Sequence, residues 1–143
     1  MKPLIITNNP KMQEEFLMNP SDLYRDMDID FREGADQMEI LRAARDLIHL
    51  GAKLVIHPMM GRVKPHETPY KSVFLEVPED DGRAGESGCD FMSITIIEDS
   101  MAETAKLLND TFTRKYDDGM LPDLQEIDRL LIRTGIEEYR MHG

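Results

Sequence analysis

An alternation of short apolar runs with helix-like segments over the first 56 residues limits the choice of fold more than any other feature. The apolar runs are Leu4–Ile6, Met27–Phe31 and Lys53–Ile56, and turn-forming residues follow them. Between the runs lie a helix start at Asn9-Pro10 and, over 35–51, apolar residues at helical spacing. Strand, helix, strand, helix and strand in this order are typical of βαβ units with parallel strands. The sequence therefore predicts an α/β fold.

A fourth strand is predicted at Ser72–Val77. The residues between Ile56 and Ser72 carry no helical pattern, so this strand does not return by a helical crossover and should run antiparallel beside the third strand. The predicted architecture is a small mixed four-stranded sheet in the order 2-1-3-4, covered by helices in a Rossmann-like layering. A chain of 143 residues has the usual size of one domain, so we predict a single α/β domain over residues 1–143.

Two further helices are predicted in the second half of the chain. The stretch Ile94–Ile97 is rich in β-branched residues, but apolar residues recur at intervals of three and four as far as Phe112. The longer pattern favours one helix from about Asp90 to Thr113 over a short strand. A last helix is predicted to begin at Pro122. Its predicted inner face consists of Leu124, Ile127, Leu130 and Leu131.

The charge balance excludes two broad classes of partner. The chain has 28 acidic and 17 basic side chains and a formal net charge of -11. Nucleic acids and anionic membranes bind clustered Lys and Arg, so we expect neither as a partner.

The single cysteine, Cys89, excludes an intramolecular disulfide. The run Leu4–Ile6 is too short for the core of a signal peptide and no run approaches a membrane span, so we expect a cytoplasmic protein.

The segment His57–Ser72 is the strongest candidate for a functional site. It contains two His, two Lys, one Arg, one Tyr, three Pro and one Gly. Long irregular segments in compact domains are usually functional, and three prolines stiffen this one. The surrounding stretch Gly51–Leu75 has four basic residues and one acid, a formal charge of +3 within an acidic chain. A local positive charge of this kind attracts a small anion.

The predicted sheet places a second group of polar residues beside this segment. If strands one and three are neighbours, Thr7-Asn8-Asn9 and His57 emerge together beyond the carboxyl ends of the strands, where ligands bind in parallel sheets. The helix that begins at Pro10 also offers backbone N–H groups to an anion, although Asn9 is equally suited to a plain N-cap. We therefore predict a site for a small anionic metabolite, a carboxylate or a phosphate. Its predicted ligand-binding residues are Thr7, Asn8, Asn9, His57, Lys64, His66, Glu67, Tyr70, Lys71 and Ser72.

The sequence is compatible with two other functions. In the first, the chain is a small enzyme in which His57 or His66 is the general base and Lys64 or Lys71 stabilises an oxyanion. In the second, the stiff segment docks on another protein. The spacing of His57, His66 and Glu67 matches no known metal motif and the chain has no phosphate-binding Gly-rich loop, so we expect neither a metal nor another cofactor.

Several stretches of the sequence resemble one known family. They are Ile6–Pro10, Arg45–Gly51, His57-Pro58 and Gly61–Ser72, and together they look like the GrdX family. The resemblance implies a protein encoded with components of glycine, sarcosine or betaine reductase in anaerobes that ferment amino acids. It therefore implies those reductase components as partners, but it implies no reaction for this chain.

Overall fold

Four strands form one sheet in the computed structural model, which describes residues 1–19, 22–61, 63–79, 88–110 and 115–142. The strands are β1 (Lys2–Thr7), β2 (Asp28–Phe31), β3 (Lys53–Leu54) and β4 (Ser72–Val77). The helices are α1 (Pro10–Met18), α2 (Gln37–His49), α3 (Phe91–Asp110) and α4 (Leu121–His142). Short 3-10 turns cover Asp22–Tyr24, Pro65–Glu67 and Asp118–Met120. The α/β class predicted from the sequence is thus confirmed.

The strand order is 2-1-4-3, so the predicted order 2-1-3-4 was wrong. β1 pairs with β2 in parallel, with Leu4 opposite Asp28. On its other side β1 pairs along its whole length with β4, which is antiparallel to it. β3 pairs antiparallel with the far edge of β4. The expected antiparallel contact between β3 and β4 is therefore present, but β1 and β3 are not neighbours.

The burial of β4 explains why it occupies the centre of the sheet. Ser72–Leu75 are all buried, so both faces of this strand are covered. A run without exposed alternate positions is typical of a central strand. β3 has only two residues, of which Lys53 is exposed and Leu54 half-buried, as suits an edge strand. β4 is longer than β3 and buries more of its residues. It therefore takes the central position, although β3 comes before it in the chain.

The helices form one layer on each face of the sheet. One core cluster joins β1 and β4, through Ile6 and Val73, to α2 and α3. The other joins the same strands, through Ile5 and Phe74, to α1 and α4. Neighbouring strand residues thus point into opposite clusters, as the two-residue period of a strand requires. The core is three layers deep, with the sheet in the middle.

The β-branched stretch at 94–97 is helical, as its spacing predicts. It lies in α3, whose start is capped by Asp90, because the Asp90 carboxylate accepts hydrogen bonds from the backbone N–H and the hydroxyl of Ser93. The predicted end of this helix near Thr113 lies outside the described residues. Ile97 and Met101 are buried and Ile94 is half-buried, while Glu98 and Asp99 are exposed.

The buried face of α4 differs from the predicted one. Leu124 is buried as expected, but Ile127 and Leu130 are 47% and 48% exposed. Farther along the helix, Ile132 and Ile136 pack into the core instead. The first turns of α4 therefore carry apolar side chains that the core does not cover. No helix within the described parts of the chain has the length and apolar character needed to cross a membrane.

Candidate functional site

Asn8, which follows β1, fixes the segment that precedes β4. Its side-chain amide donates to the carbonyl oxygens of Ala35 (2.7 Å) and Pro69 (3.0 Å), and its oxygen accepts from the backbone N–H of Lys71 (2.9 Å). Asn8 is only 6% exposed. All of these bonds are to backbone groups of the protein, so the Asn8 amide holds the chain in place.

Thr7, Asn9 and Ser72 form a buried hydrogen-bond network that ends on α4. The hydroxyl of Ser72 donates to Oδ2 of Asp128 at 2.6 Å, and the Asn9 amide donates to the same oxygen at 2.9 Å. The hydroxyls of Thr7 and Ser72 are 2.6 Å apart. Because Ser72 gives its one hydrogen to Asp128, Thr7 is the donor in that bond. Ser72 and Asn9 therefore donate to one carboxylate, and Thr7 joins the network through Ser72.

Asn9 has a second role, as the N-cap of α1. Its side-chain oxygen accepts from the backbone N–H of Lys11 at 3.0 Å. Pro10 follows as the first residue of the helix and has no N–H of its own. The sequence was compatible with Asn9 as a ligand-binding residue or as an N-cap, and in the structure Asn9 is an N-cap.

A cleft of about 500 Å³ opens between α4 and the segment before β4. This volume lies in the range of small-molecule sites. Most of its wall is apolar, and the polar groups are few. The wall from the segment and α2 consists of Gln37, Pro58, Met60, Gly61, Val63, Thr68, Tyr70, Lys71 and Ser72. The wall from α4 consists of Leu124, Ile127, Asp128, Leu130, Leu131 and Thr134.

Among the described residues that line the cleft, Lys71 is the one cation. Its Nζ donates to the carbonyl oxygen of Pro58 at 2.6 Å, and it forms no ion pair with a carboxylate of the described residues. Burial lowers the pKa of Lys71, while the charge of Asp128 acts in the opposite direction. An ammonium group has three N–H donors. Two donors of Lys71 therefore stay without a partner in the described part of the protein.

Asp128 lies on the wall formed by α4, across from Lys71, and is half-buried. Burial raises the pKa of Asp128, although the hydrogen bonds from Ser72 and Asn9 and the charge of Lys71 act against this. Only its Oδ2 accepts hydrogen bonds from described residues. Both charged groups of the cleft are thus held where water solvates them poorly, and each is pushed toward its neutral form.

The remaining residues of the predicted site do not line the cleft. His57 is exposed and its Nδ1 accepts from the backbone N–H of Met59 at 3.0 Å. Lys64 is exposed, and its backbone N–H donates to Glu67 Oε1 at 2.9 Å. That bond lowers the pKa of Glu67. β4 separates β1 from β3, and the described hydrogen bonds of the Asn8 side chain go to Ala35, Pro69 and Lys71, with none to Lys64 or His57.

His66 lies apart from the cleft as well. It is half-buried, and its backbone oxygen accepts from the N–H of Lys115 at 3.2 Å. Its Nδ1 is buried without a partner among the described residues. Arg62, which contributes to the positive charge of the segment, lies outside the described residues. Within the described ranges, no three His, Cys, Asp or Glu side chains come close enough to hold a metal ion.

Four polar residues of the cleft wall were missed on the sequence: Gln37, Thr68, Asp128 and Thr134. Asp128 follows Leu124 by four positions and precedes Leu131 by three, so it interrupts the apolar stripe of an amphipathic helix. An acid within such a stripe was a usable signal. Gln37 opens α2, and its amide donates to the carbonyl oxygens of Pro65 and Thr68 at 2.7 and 2.5 Å. Nothing in the local sequence indicates that long-range contact.

The sheet, its two helical layers and the cleft define a small α/β protein with a cleft of about 500 Å³ between α4 and the segment before β4. The family model for GrdX-like proteins matches residues 4–137, nearly the whole chain. The chain therefore belongs to the GrdX-like family, and the resemblance seen in its motifs is confirmed. No curated protein and no solved structure matches it.

Proposed function

We propose that this chain is a binding protein that holds a small carboxylate with an apolar body in the cleft between α4 and the segment before β4. The observation that carries the proposal is Lys71, a cation on the wall of a mostly apolar cleft, two of whose N–H donors have no partner among the described residues. A charge-assisted hydrogen bond from such a group is stronger than a neutral one, and poor solvation strengthens it further. A carboxylate oxygen is a matching acceptor.

The other groups on the cleft wall favour a carboxylate over a phosphate. Asp128 faces the same space, so a dianionic phosphate would meet more repulsion than a single carboxylate charge. The apolar wall formed by Leu124, Ile127 and Leu131 favours a ligand with several methylene groups. Each buried methylene contributes about 0.8 kcal/mol. Butyrate is therefore a better first probe than acetate or inorganic phosphate.

Calorimetric titration of butyrate tests the proposal. The wild type should bind butyrate more tightly than acetate, phosphate or uncharged butyramide. Lys71→Met keeps the aliphatic chain but removes the charge, and we expect it to weaken butyrate binding by about 1.5–3 kcal/mol, the value of a hydrogen bond to a charged group. Lys64→Met is the matched control, because Lys64 belongs to the same segment but is exposed and away from the cleft.

Two outcomes of this titration would contradict the proposal. The first is equal binding of butyrate and butyramide, since the charge of the ligand would then make no contribution. The second is equal loss in both lysine variants, since that would indicate a general effect of the positive charge of the segment.

A second function, docking on another protein, is favoured by the rim of the cleft. Met60, Ile127 and Leu130 are 53%, 47% and 48% exposed there. Exposed apolar groups at one place are typical of interaction surfaces. The partners that the family resemblance implies are components of glycine, sarcosine or betaine reductase. If no small anion binds the wild type but such a component does, docking replaces ligand binding as the proposed function.

A general-base enzyme has less support. His57 and His66 lie outside the cleft wall, and the ring of His57 is already hydrogen-bonded through Nδ1 to the backbone of Met59. A general base must reach the proton it removes. The histidines therefore do not share a substrate-sized space with Lys71.

A further inference from the structure

The surroundings of Lys71 suit an uncharged amine as well as an ammonium. Its Nζ has one acceptor among the described residues, the carbonyl oxygen of Pro58. A neutral amine that donates one hydrogen to this oxygen keeps its lone pair for a molecule in the cleft. Burial lowers the pKa of Lys71, which increases the neutral fraction. Lysines made nucleophilic in this way form imines with carbonyl compounds.

We propose that Lys71 forms a reversible imine with small aldehydes that enter the cleft. The inference rests on the proposed function only in that both need the cleft to admit a small apolar molecule. A bound carboxylate brings a negative charge that favours the ammonium form. An aldehyde brings no charge and leaves the amine neutral. The same side chain can therefore bind one class of molecule and react with the other.

The reaction balances without an oxidant or a reductant. The Nζ lone pair attacks the carbonyl carbon, a C–N bond forms, and one hydrogen of the amine moves to the former carbonyl oxygen. This carbinolamine then loses that oxygen as water, with the second amine hydrogen, and a C=N bond remains. The net change converts an aldehyde and the Lys71 amine into an imine and one water molecule.

The cleft contains groups suited to these proton movements. Tyr70 lies on the same wall as Lys71, and Asp128 lies on the α4 wall of the cleft. The Tyr70 hydroxyl already accepts a hydrogen bond from the Gln125 amide at 2.6 Å. The imine nitrogen can take up a proton from water, and the resulting N–H can donate a hydrogen bond to the carbonyl oxygen of Pro58. The carboxylate of Asp128 attracts the positive charge of this protonated imine. The Pro58 carbonyl oxygen and the Asp128 carboxylate thus stabilise the protonated imine, and beside them Lys71 can still react as a neutral amine.

Other described lysines lack this combination. Lys2 and Lys11 form ion pairs with Asp28 and Glu126, at 3.1 and 3.4 Å, and an ion pair favours the charged form. Lys64 is exposed to water. It is therefore the internal reference for an ordinary, accessible amine on the same segment.

Reductive trapping on the full wild-type chain tests the proposal. Butanal is added at neutral pH with cyanoborohydride, which converts an imine to a stable butyl amine, and each lysine is followed by peptide mass spectrometry. We expect Lys71 to be labelled several-fold faster than Lys64. Lys71→Arg should lose that fast label and keep the slow labelling elsewhere. Because the comparison is made within the wild type, it does not depend on the folding of a variant.

Adding butyrate separates this inference from the proposed function. Protection of Lys71 by butyrate supports both. Fast labelling of Lys71 that butyrate does not slow supports the imine and contradicts carboxylate binding at this place. Labelling of Lys71 no faster than that of Lys64 overturns the imine, and calorimetric binding of butyrate by the same sample would then leave the proposed function standing.

Discussion

At the scale of single residues, the asparagines after β1 show how a structural role resembles a ligand-binding one in a sequence. Asn8 and Asn9 end a strand and begin a helix, which is the usual position of ligand-binding groups in α/β proteins. In the structure the side-chain amides of both residues are bonded to protein groups. An Asn that hydrogen-bonds to distant backbone groups cannot be distinguished, from the local sequence, from an Asn that binds a ligand.

Replacing Asn8 with Ala should destabilise the fold. The change removes bonds to the carbonyl oxygens of Ala35 and Pro69 and to the N–H of Lys71, and leaves those groups in a poorly solvated place. We expect a loss of about 3 kcal/mol in the free energy of unfolding, at about 1 kcal/mol for each bond. Urea unfolding measures it. Glu14→Ala, at an exposed position, is the control and should change stability by less than about 0.5 kcal/mol. If Asn8→Ala changed the free energy of unfolding as little as Glu14→Ala does, the assigned role of Asn8 would be wrong.

Asp128 makes the proposed binding dependent on pH. Because burial raises its pKa, Asp128 takes up a proton more readily than an exposed Asp as the pH falls. Its negative charge, and with it the repulsion of a bound carboxylate, is then lost. Butyrate affinity should therefore rise as the pH falls from neutral, until butyrate itself is protonated.

The variant Asp128→Asn isolates this effect. The Asn oxygen can still accept from Ser72 and Asn9, so the network is kept while the charge is removed. We expect tighter butyrate binding than in the wild type at neutral pH and a weaker rise on acidification, both measured by calorimetry. Weaker butyrate binding at neutral pH would contradict the expected repulsion and would indicate that the Asp128 charge acts mainly by keeping Lys71 protonated.

At the scale of elements, the position of β4 was the main error of the sequence prediction. The prediction followed chain order and placed β4 at the edge. The unbroken apolar run Val73-Phe74-Leu75 was a usable sign of a central strand, because a strand covered on both faces has no polar alternation. The shortness of β3 was not visible, since its four predicted residues have strand-like composition and only Lys53–Leu54 pair.

The helical prediction for α3 succeeded because its period extends over many residues. Ile97 is fully buried in the cluster between the sheet, α2 and α3. Ile97→Ala should lower the free energy of unfolding by about 2–5 kcal/mol, through lost transfer energy and a residual cavity. Asp99→Ala, two positions along and exposed, should change it by less than about 0.5 kcal/mol. Similar losses in both variants, measured by urea unfolding, would show that the assigned face of the helix is wrong.

At the scale of the whole molecule, the sequence predicted the class of fold and the segment that forms one wall of the cleft. Tyr70, Lys71 and Ser72, all predicted site residues, lie on that wall. The opposite wall comes from α4, more than fifty residues later, and its apolar residues look like ordinary core positions in a sequence. Which of them remain exposed depends on how far the helix rotates in packing against the sheet. That rotation is a property of the folded molecule.

The apolar side chains that α4 leaves exposed belong to the proposed binding site. Ile127 and Leu130 are not covered by the core, and they lie where a ligand entering the cleft would contact them. Lys71 provides the charge at the same site. We propose that these features together hold a small carboxylate.

A crystal structure of the chain soaked or grown with butyrate tests this proposal at the cleft itself. We expect the butyrate carboxylate within hydrogen-bonding distance of the Nζ of Lys71, with its methylene groups against Leu124, Ile127 and Leu131. Butyrate bound instead beside Lys64 on the outer surface, or a cleft closed by repacking of α4 in crystals that contain butyrate, would contradict it.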